Sequence, residues 1–344
     1  MKTKFHTLNF RAFLFIIIIS HSFLSCKKKY ATENVIYKNG DIIISARIYK
    51  PVSGSNFPVV VIVPSAEPDT KETYSDYAEH FATNGIVTIC YDKRGTGQST
   101  GNIMKADFND LFFDAYAGIS YIKELPYVDT TQMGFIGHSQ GGMYIFMADS
   151  ITNDIAFLID ISGSAASPLD QSHYNIYSKI KENGGSEKYA DSLAFLMDDY
   201  IRYLSARNNY TSIKSRVEVA LSDPEKPAAD KINYFDQFKY LYPPEQLPLF
   251  DAMEMYPFMR SCNYEARKFF STFSIPALMI YGKKDRVINS AFCVEIAKQA
   301  EQQNDLIDVK VYENANHTMK EETLTGKGYP DNFFEDLTSW IKLH

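Results

Sequence analysis

Apolar and polar positions alternate along this 344-residue chain in two regimes. Residues 57–63, 86–90, 133–136 and 155–161 are short, largely apolar runs rich in Val, Ile and Phe. Runs of that length, bounded by turn residues, predict strands buried on both faces of a parallel sheet. Between them the apolar positions take helical spacing, first at Tyr74, Tyr77, Ala78, Phe81 and Ala82, closed by Asn84-Gly85, and then at Phe108, Leu111, Phe112, Ala115, Ile119 and Ile122. Ahead of both, residues 34–37 and 42–49 flank Asn39-Gly40, the strongest short signal for a hairpin.

Strand alternating with helix predicts an α/β fold, a mostly parallel central sheet with helices on both faces. The alternation stops at residue 164 and resumes near 275 with strands at 276–281 and 309–312 and helices at 291–302 and 332–343. Between those points only helical periodicity is found, as in Tyr189, Leu193, Leu196, Met197, Tyr200 and Leu204. The chain therefore divides into a core of residues 30–163 and 275–344 and a helical lid insertion, 164–274, expected to lie over the sheet's C-terminal edge. Most of the Tyr, Phe and Met side chains between 234 and 259 are expected to form the insertion's own small core.

Composition narrows the functional classes. A hydrophobic share of 45%, a charged share of 22% and a net charge of −7 describe a globular chain without the basic surface that nucleic acid requires. Lys2, Lys4 and Arg11 precede an apolar run, 12–19, far short of a membrane-spanning helix, so residues 1–26 read as an export signal. It ends in Phe23-Leu24-Ser25-Cys26, similar to a bacterial lipoprotein cleavage site, which implies a lipid on Cys26 and a membrane-anchored protein of the cell envelope. Cys90 reads as a core residue, and Cys262 and Cys293 leave one disulfide open that their spacing does not support. The scattered histidines give no metal-binding pattern, and no cofactor is expected.

The chemistry gathers at strand ends. Gly137-His138-Ser139-Gln140-Gly141, set between a predicted strand and a predicted helix at 143–148, is the nucleophile-elbow pattern. Such a turn raises Ser139 on a strained backbone and aims the N–H of Gln140 at the atom being attacked, forming half an oxyanion hole. A serine hydroxyl needs a base, and the base needs a carboxylate to fix its tautomer. His317, after the last strand, and Asp285, in Gly282-Lys283-Lys284-Asp285 after the strand before it, supply them in the chain order this architecture uses. Asp160, also at a strand end, is the competing acid, and His138 is read as a support beneath the turn. The second oxyanion donor is expected in the loop Pro64-Ser65-Ala66-Glu67, with the N–H of Ser65 first and that of Ala66 second, since Pro64 has none. The glycines of 95–101 lack the Gly-Lys-Ser/Thr of a phosphate loop, so a nucleotide site is rejected.

Tyr91-Asp92-Lys93-Arg94-Gly95-Thr96-Gly97-Gln98-Ser99-Thr100-Gly101, together with Gly137 to Gly142 and Tyr281 to Asp285, resembles the α/β-hydrolase superfamily, in particular its secreted and lipoprotein branch of acyl esterases and serine aminopeptidase-like hydrolases. The resemblance implies an α/β-hydrolase fold, with Ser139 as nucleophile, His317 as base and Asp285 as acid, acting on a small-molecule ester or short peptide. An aminopeptidase would use lid carboxylates such as Glu182, Asp198 or Asp199, while a thioesterase and a catalytically silent binding lipoprotein are the remaining alternatives.

Overall fold

A computed structural model describes residues 29–232, 238, 241–323 and 326–344. The signal segment, Cys26 and Tyr234 lie outside the described residues. Eight strands form one sheet: β1 (Tyr30–Asn39), β2 (Ile42–Pro51), β3 (Phe57–Val63), β4 (Val87–Tyr91), β5 (Val128–His138), β6 (Phe157–Ile161), β7 (Ala277–Gly282) and β8 (Ile307–Tyr312). Their order is β1-β2-β4-β3-β5-β6-β7-β8. The first two pairings are antiparallel and every later one is parallel.

Because side chains alternate across a strand, β3 feeds two cores at once. Val59, Val61 and Val63 join a cluster with Phe108, Phe112 and Ile119 of α2 (Phe108–Ile122), whereas Val60 and Ile62 join Tyr77 and Phe81 of α1 (Ser75–Thr83) on the other face. The second cluster also holds Phe333, Leu337 and Ile341 of the final helix, so both ends of the core meet there. α2 begins with a reciprocal cap, Asp107 accepting from the Asp110 N–H while Asp110 accepts from the Asp107 N–H.

The helix expected over 143–148 is interrupted. It runs as α3 (Gln140–Tyr144), a 3₁₀ turn (Ile145–Met147) and α4 (Ala148–Ile151). Between β6 and β7 lie α5 (Pro168–Glu182), α6 (Glu187–Ala206), α7 (Tyr210–Ser222), α8 (Lys226–Ala229) and α9 (Pro257–Arg260). Ile176, Ile180, Leu193, Met197, Tyr200 and Val217 form a cluster within this segment, which Phe238 and Met255 join. Polar contacts sew it to the rest of the chain: Met255 N–H donates to Met104 O at 2.8 Å, Phe108 N–H to Ser261 Oγ at 2.9 Å, and Gln171 Nε2 to Val287 O at 2.6 Å. The chain closes through α10 (Ser290–Gln303), a short hairpin of β9 (Glu321–Thr323) and β10 (Gly326–Gly328) that the hydrophobic pattern does not predict, and α11 (Phe333–Leu343). Cys262 and Cys293 are buried free thiols, so the disulfide left open by sequence does not form.

Candidate active site

β5 delivers the elbow at the sheet's C-terminal edge. Ser139 has φ 54° and ψ −117°, a conformation that costs a non-glycine residue about 1–3 kcal/mol and persists only where its surroundings enforce it. The enforcement is visible: Ser139 N–H donates to Ile161 O at 2.9 Å, pinning the turn to β6. The flanking glycines are steric necessities. A Cβ on Gly137 would lie 2.6 Å from the Gly141 carbonyl carbon, and one on Gly141 would lie 2.4 Å from Val63 O.

Asp285 and His317 come from the turns after β7 and β8. The Asp285 carboxylate is fully buried, and its Oδ1 accepts the N–H groups of Val287 at 2.7 Å and Ile288 at 3.1 Å. Oδ2 is left for His317 Nδ1 at 2.7 Å, and His317 Nε2 lies 2.9 Å from Ser139 Oγ. An ionised carboxylate only accepts, so the Nδ1 position carries the proton and Nε2 is free to accept the serine's. The three side chains singled out by sequence thus stand in one hydrogen-bonded line. Asp160, the competing acid, faces elsewhere: it accepts from Gly163 N–H at 2.8 Å and from Tyr281 Oη at 3.4 Å beneath α3, and burial pushes its carboxyl up to about 7.

His138 stays out of that line. Its Nδ1 lies 3.1 Å from Tyr74 Oη and its Nε2 3.1 Å from the main-chain carbonyl of His317, so it braces the loop that carries His317. Burial first, and the neighbouring His317 second, pull its imidazole down to about 4.

The loop after β3 corrects one expectation. The N–H of Ser65 donates to Asp69 Oδ2 at 2.8 Å, and the Ser65 hydroxyl donates to the same oxygen at 2.8 Å. A carboxylate four residues on has taken the donor that sequence assigned to the substrate. The N–H of Ala66 has no acceptor among the described residues, and Ala66 is exposed on the wall of the same cavity as Ser139.

That cavity, about 790 Å³, runs from the elbow to the helical segment. Met143, Ile176, Met197, Phe258, Met259 and Ile288 contribute its apolar lining, and Thr318, Lys320 and Tyr329, which follow His317 in the chain, are among the polar residues that line it. Glu182, Asp198 and Asp199 do not line it. Asp198 pairs with His173 at 2.8 Å, and Asp199 pairs with Arg216 at 2.5 Å. Among the described residues no cluster of His, Cys, Asp and Glu could hold a metal ion, and no helix is long and apolar enough to cross a membrane.

Comparison with known proteins agrees with this architecture. The chain is 25% identical over 130 residues, 38% of its length, to the quorum-quenching protein AidA of Acinetobacter baumannii, of which the match covers 43%. It spans less than half the length of the curated relatives it matches. Among solved structures, an esterase of Pyrococcus furiosus shares the fold at a TM-score of 0.55 with 13% identity, over 91% of each chain. Est1E of Butyrivibrio proteoclasticus, solved with ferulic acid bound, shares it at 0.52 with 17% identity, over 90% of this chain and 97% of that one. The model of the alpha/beta hydrolase fold family matches residues 58–323, and with the sheet order and elbow described above the chain belongs to that family.

Proposed function

We propose that this protein is a serine hydrolase that cleaves a carboxylic ester through an acyl-enzyme intermediate. The unbroken line from Asp285 through His317 to Ser139 Oγ, opening on the cavity, carries the reading. In the first half-reaction His317 Nε2 takes the hydroxyl proton as Ser139 Oγ bonds to the carbonyl carbon, and the resulting oxyanion meets backbone N–H donors. Collapse breaks the bond to the alcohol, which leaves with the proton held by His317. In the second, water gives a proton to His317, attacks the acyl carbon and releases the carboxylic acid with Ser139 restored.

The leaving alcohol must stand beside His317 to receive its proton, on the polar side lined by Thr318, Lys320 and Tyr329. The apolar wall of Met143, Ile176, Met197, Phe258 and Met259 is then left for the acyl group, which favours an ester with a sizeable apolar acid part. An aminopeptidase is less well supported, because the lid carboxylates that would bind an amino terminus lie away from the cavity.

Reaction with a fluorophosphonate probe tests the nucleophile: native protein is labelled and Ser139→Ala is not. Absence of label on folded native protein would sink the reading. A panel of p-nitrophenyl esters and aminoacyl-nitroanilides tests the bond, and preference for the anilides would move the assignment to a peptidase. The proposal includes an envelope location through a lipid on Cys26, supported by the sequence of the signal segment. Fractionation of native protein and Cys26→Ala between membrane and soluble fractions checks it.

A further inference from the structure

Lys93 is a lysine where none is needed for solubility. It follows β4 in the Tyr91–Gly101 turn, yet it is only 2% exposed and its ammonium has no carboxylate within hydrogen-bonding distance among the described residues. A buried cation is costly unless its donors are used. Nζ spends them on two groups, donating to the main-chain carbonyl of Ser65 and to Gln140 Oε1 at 3.0 Å. One of those residues lies in the loop after β3 and the other directly follows Ser139 within the elbow.

Peptide geometry turns the first contact into a consequence for the cavity. The Ser65 carbonyl and the Ala66 N–H belong to one planar trans peptide and point in opposite directions. A cation that pulls the carbonyl toward the core directs the N–H outward and polarises it as a donor. Within residues 65–69 the other backbone donors are engaged: Ser65 N–H on Asp69, Glu67 N–H on Ser65 Oγ at 3.1 Å and Asp69 N–H on Glu67 O at 2.8 Å, while Pro68 has none. The N–H of Gln140, first residue of α3, is likewise an orphan of its helix.

We propose that Lys93 is the positioning residue of the oxyanion site, holding the Ser65 carbonyl and the Gln140 side chain so that the N–H groups of Ala66 and Gln140 converge on the carbonyl oxygen under attack. The assignment rests on the serine-hydrolase reading above. It also gives the conspicuous Asp92-Lys93-Arg94 sequence a task beyond closing a turn. Burial pulls the Lys93 ammonium down to about 8 against the opposing pull of Asp69 and Glu67, so the charge that orients the peptide titrates in an accessible range.

The test compares native protein, Lys93→Met and Lys93→Arg on one p-nitrophenyl ester. The methionine variant loses about 10- to 100-fold in kcat with KM within about threefold, because the donors act on the developing oxyanion more than on bound substrate. A trifluoromethyl ketone, which forms an oxyanion on Ser139, binds it correspondingly less well, while the matching methyl ketone binds as before. Arginine, charged throughout, recovers part of kcat and removes the native protein's alkaline decline through about pH 8. Unchanged kcat in folded Lys93→Met, or a loss confined to KM, overturns the assignment. Should that variant not fold, Lys93→Gln, which keeps a donor without the charge, is read in the same way, and unchanged kcat in it overturns the assignment. Fluorophosphonate labelling is followed in parallel. Labelling with unaltered turnover in the variant removes only the role of Lys93, whereas no labelling of native protein removes the hydrolase reading and this proposal with it.

Discussion

Arg94 grips the Asp114 carboxylate with two parallel bonds, Nε to Oδ2 at 2.6 Å and Nη2 to Oδ1 at 2.9 Å, and the side chains are 7% and 1% exposed. The fork joins the turn after β4 to the middle of α2, next to the lysine assigned to the oxyanion site. Removing one member strands a buried charge, which typically costs 3–5 kcal/mol. Asn39 Nδ2, at 2.9 Å from Asp114 Oδ1, remains as a partner, so the lower end applies. Arg94→Met should therefore lose about 3 kcal/mol in denaturant unfolding, and Arg94→Met with Asp114→Leu should recover most of it.

His138 ties stability to acid. Its imidazole titrates at about 4 when folded against an ordinary value of 6.5, so the unfolded chain binds the extra proton first. Its contribution is complete above pH 6.5 and is lost as pH falls to about 4. His138→Phe lacks this term. The difference in unfolding free energy between native protein and variant should shrink as pH drops through that window, and a difference constant with pH would refute the account.

Met197 belongs both to the core of the helical segment and to the cavity wall, with 2% of its surface exposed. Met197→Trp should fill the acyl side at a stability cost of about 1–3 kcal/mol. Turnover of long-chain p-nitrophenyl esters should fall at least about tenfold relative to acetate, the order of loss that one to two methylenes of pocket space cause. Equal losses on both would place the acyl group elsewhere.

A methyl group at Gly141 would meet Val63 O at 2.4 Å and Pro64 O at 2.7 Å, and would push the oxyanion loop off the elbow. Gly141→Ala should cost about 100-fold in kcat, the order expected for one lost oxyanion donor, while fluorophosphonate still labels Ser139 slowly. Loss of labelling together with loss of near-UV dichroism would instead mean that the elbow itself had collapsed.

Hydrophobic runs reveal the parallel strands because a strand buried on both faces has no polar alternation to confuse it; β3 and β6 are such runs. β1 and β2 are longer than the apolar pattern suggests. Their outer ends carry polar residues such as Thr32, Glu33 and Lys50, the last two paired diagonally at 3.2 Å, and these break the apolar pattern in one dimension. The hydrogen-bonded line of Asp285, His317 and Ser139 is legible because each of the three stands in a short polar or Gly-containing turn directly after an apolar run. Ser65 is misread because Asp69 turns back to take its N–H, a contact that depends on the folded path of the loop. Lys93 is illegible for the opposite reason. In one dimension it is one of several charged residues in a Gly-rich turn, and only the tertiary fold shows that this one points inward.

The hydrogen bond between Ser139 and His317 spans 178 positions of sequence, and its second member lies after β8, the last strand to enter the sheet. Chains emerge from the ribosome N-terminus first, at about 5–20 residues per second. The elbow, its glycines and most of the sheet are therefore made well before the imidazole that would activate the serine. On the serine-hydrolase reading, a growing polypeptide that has not yet passed β8 carries the proposed nucleophile without its proposed base.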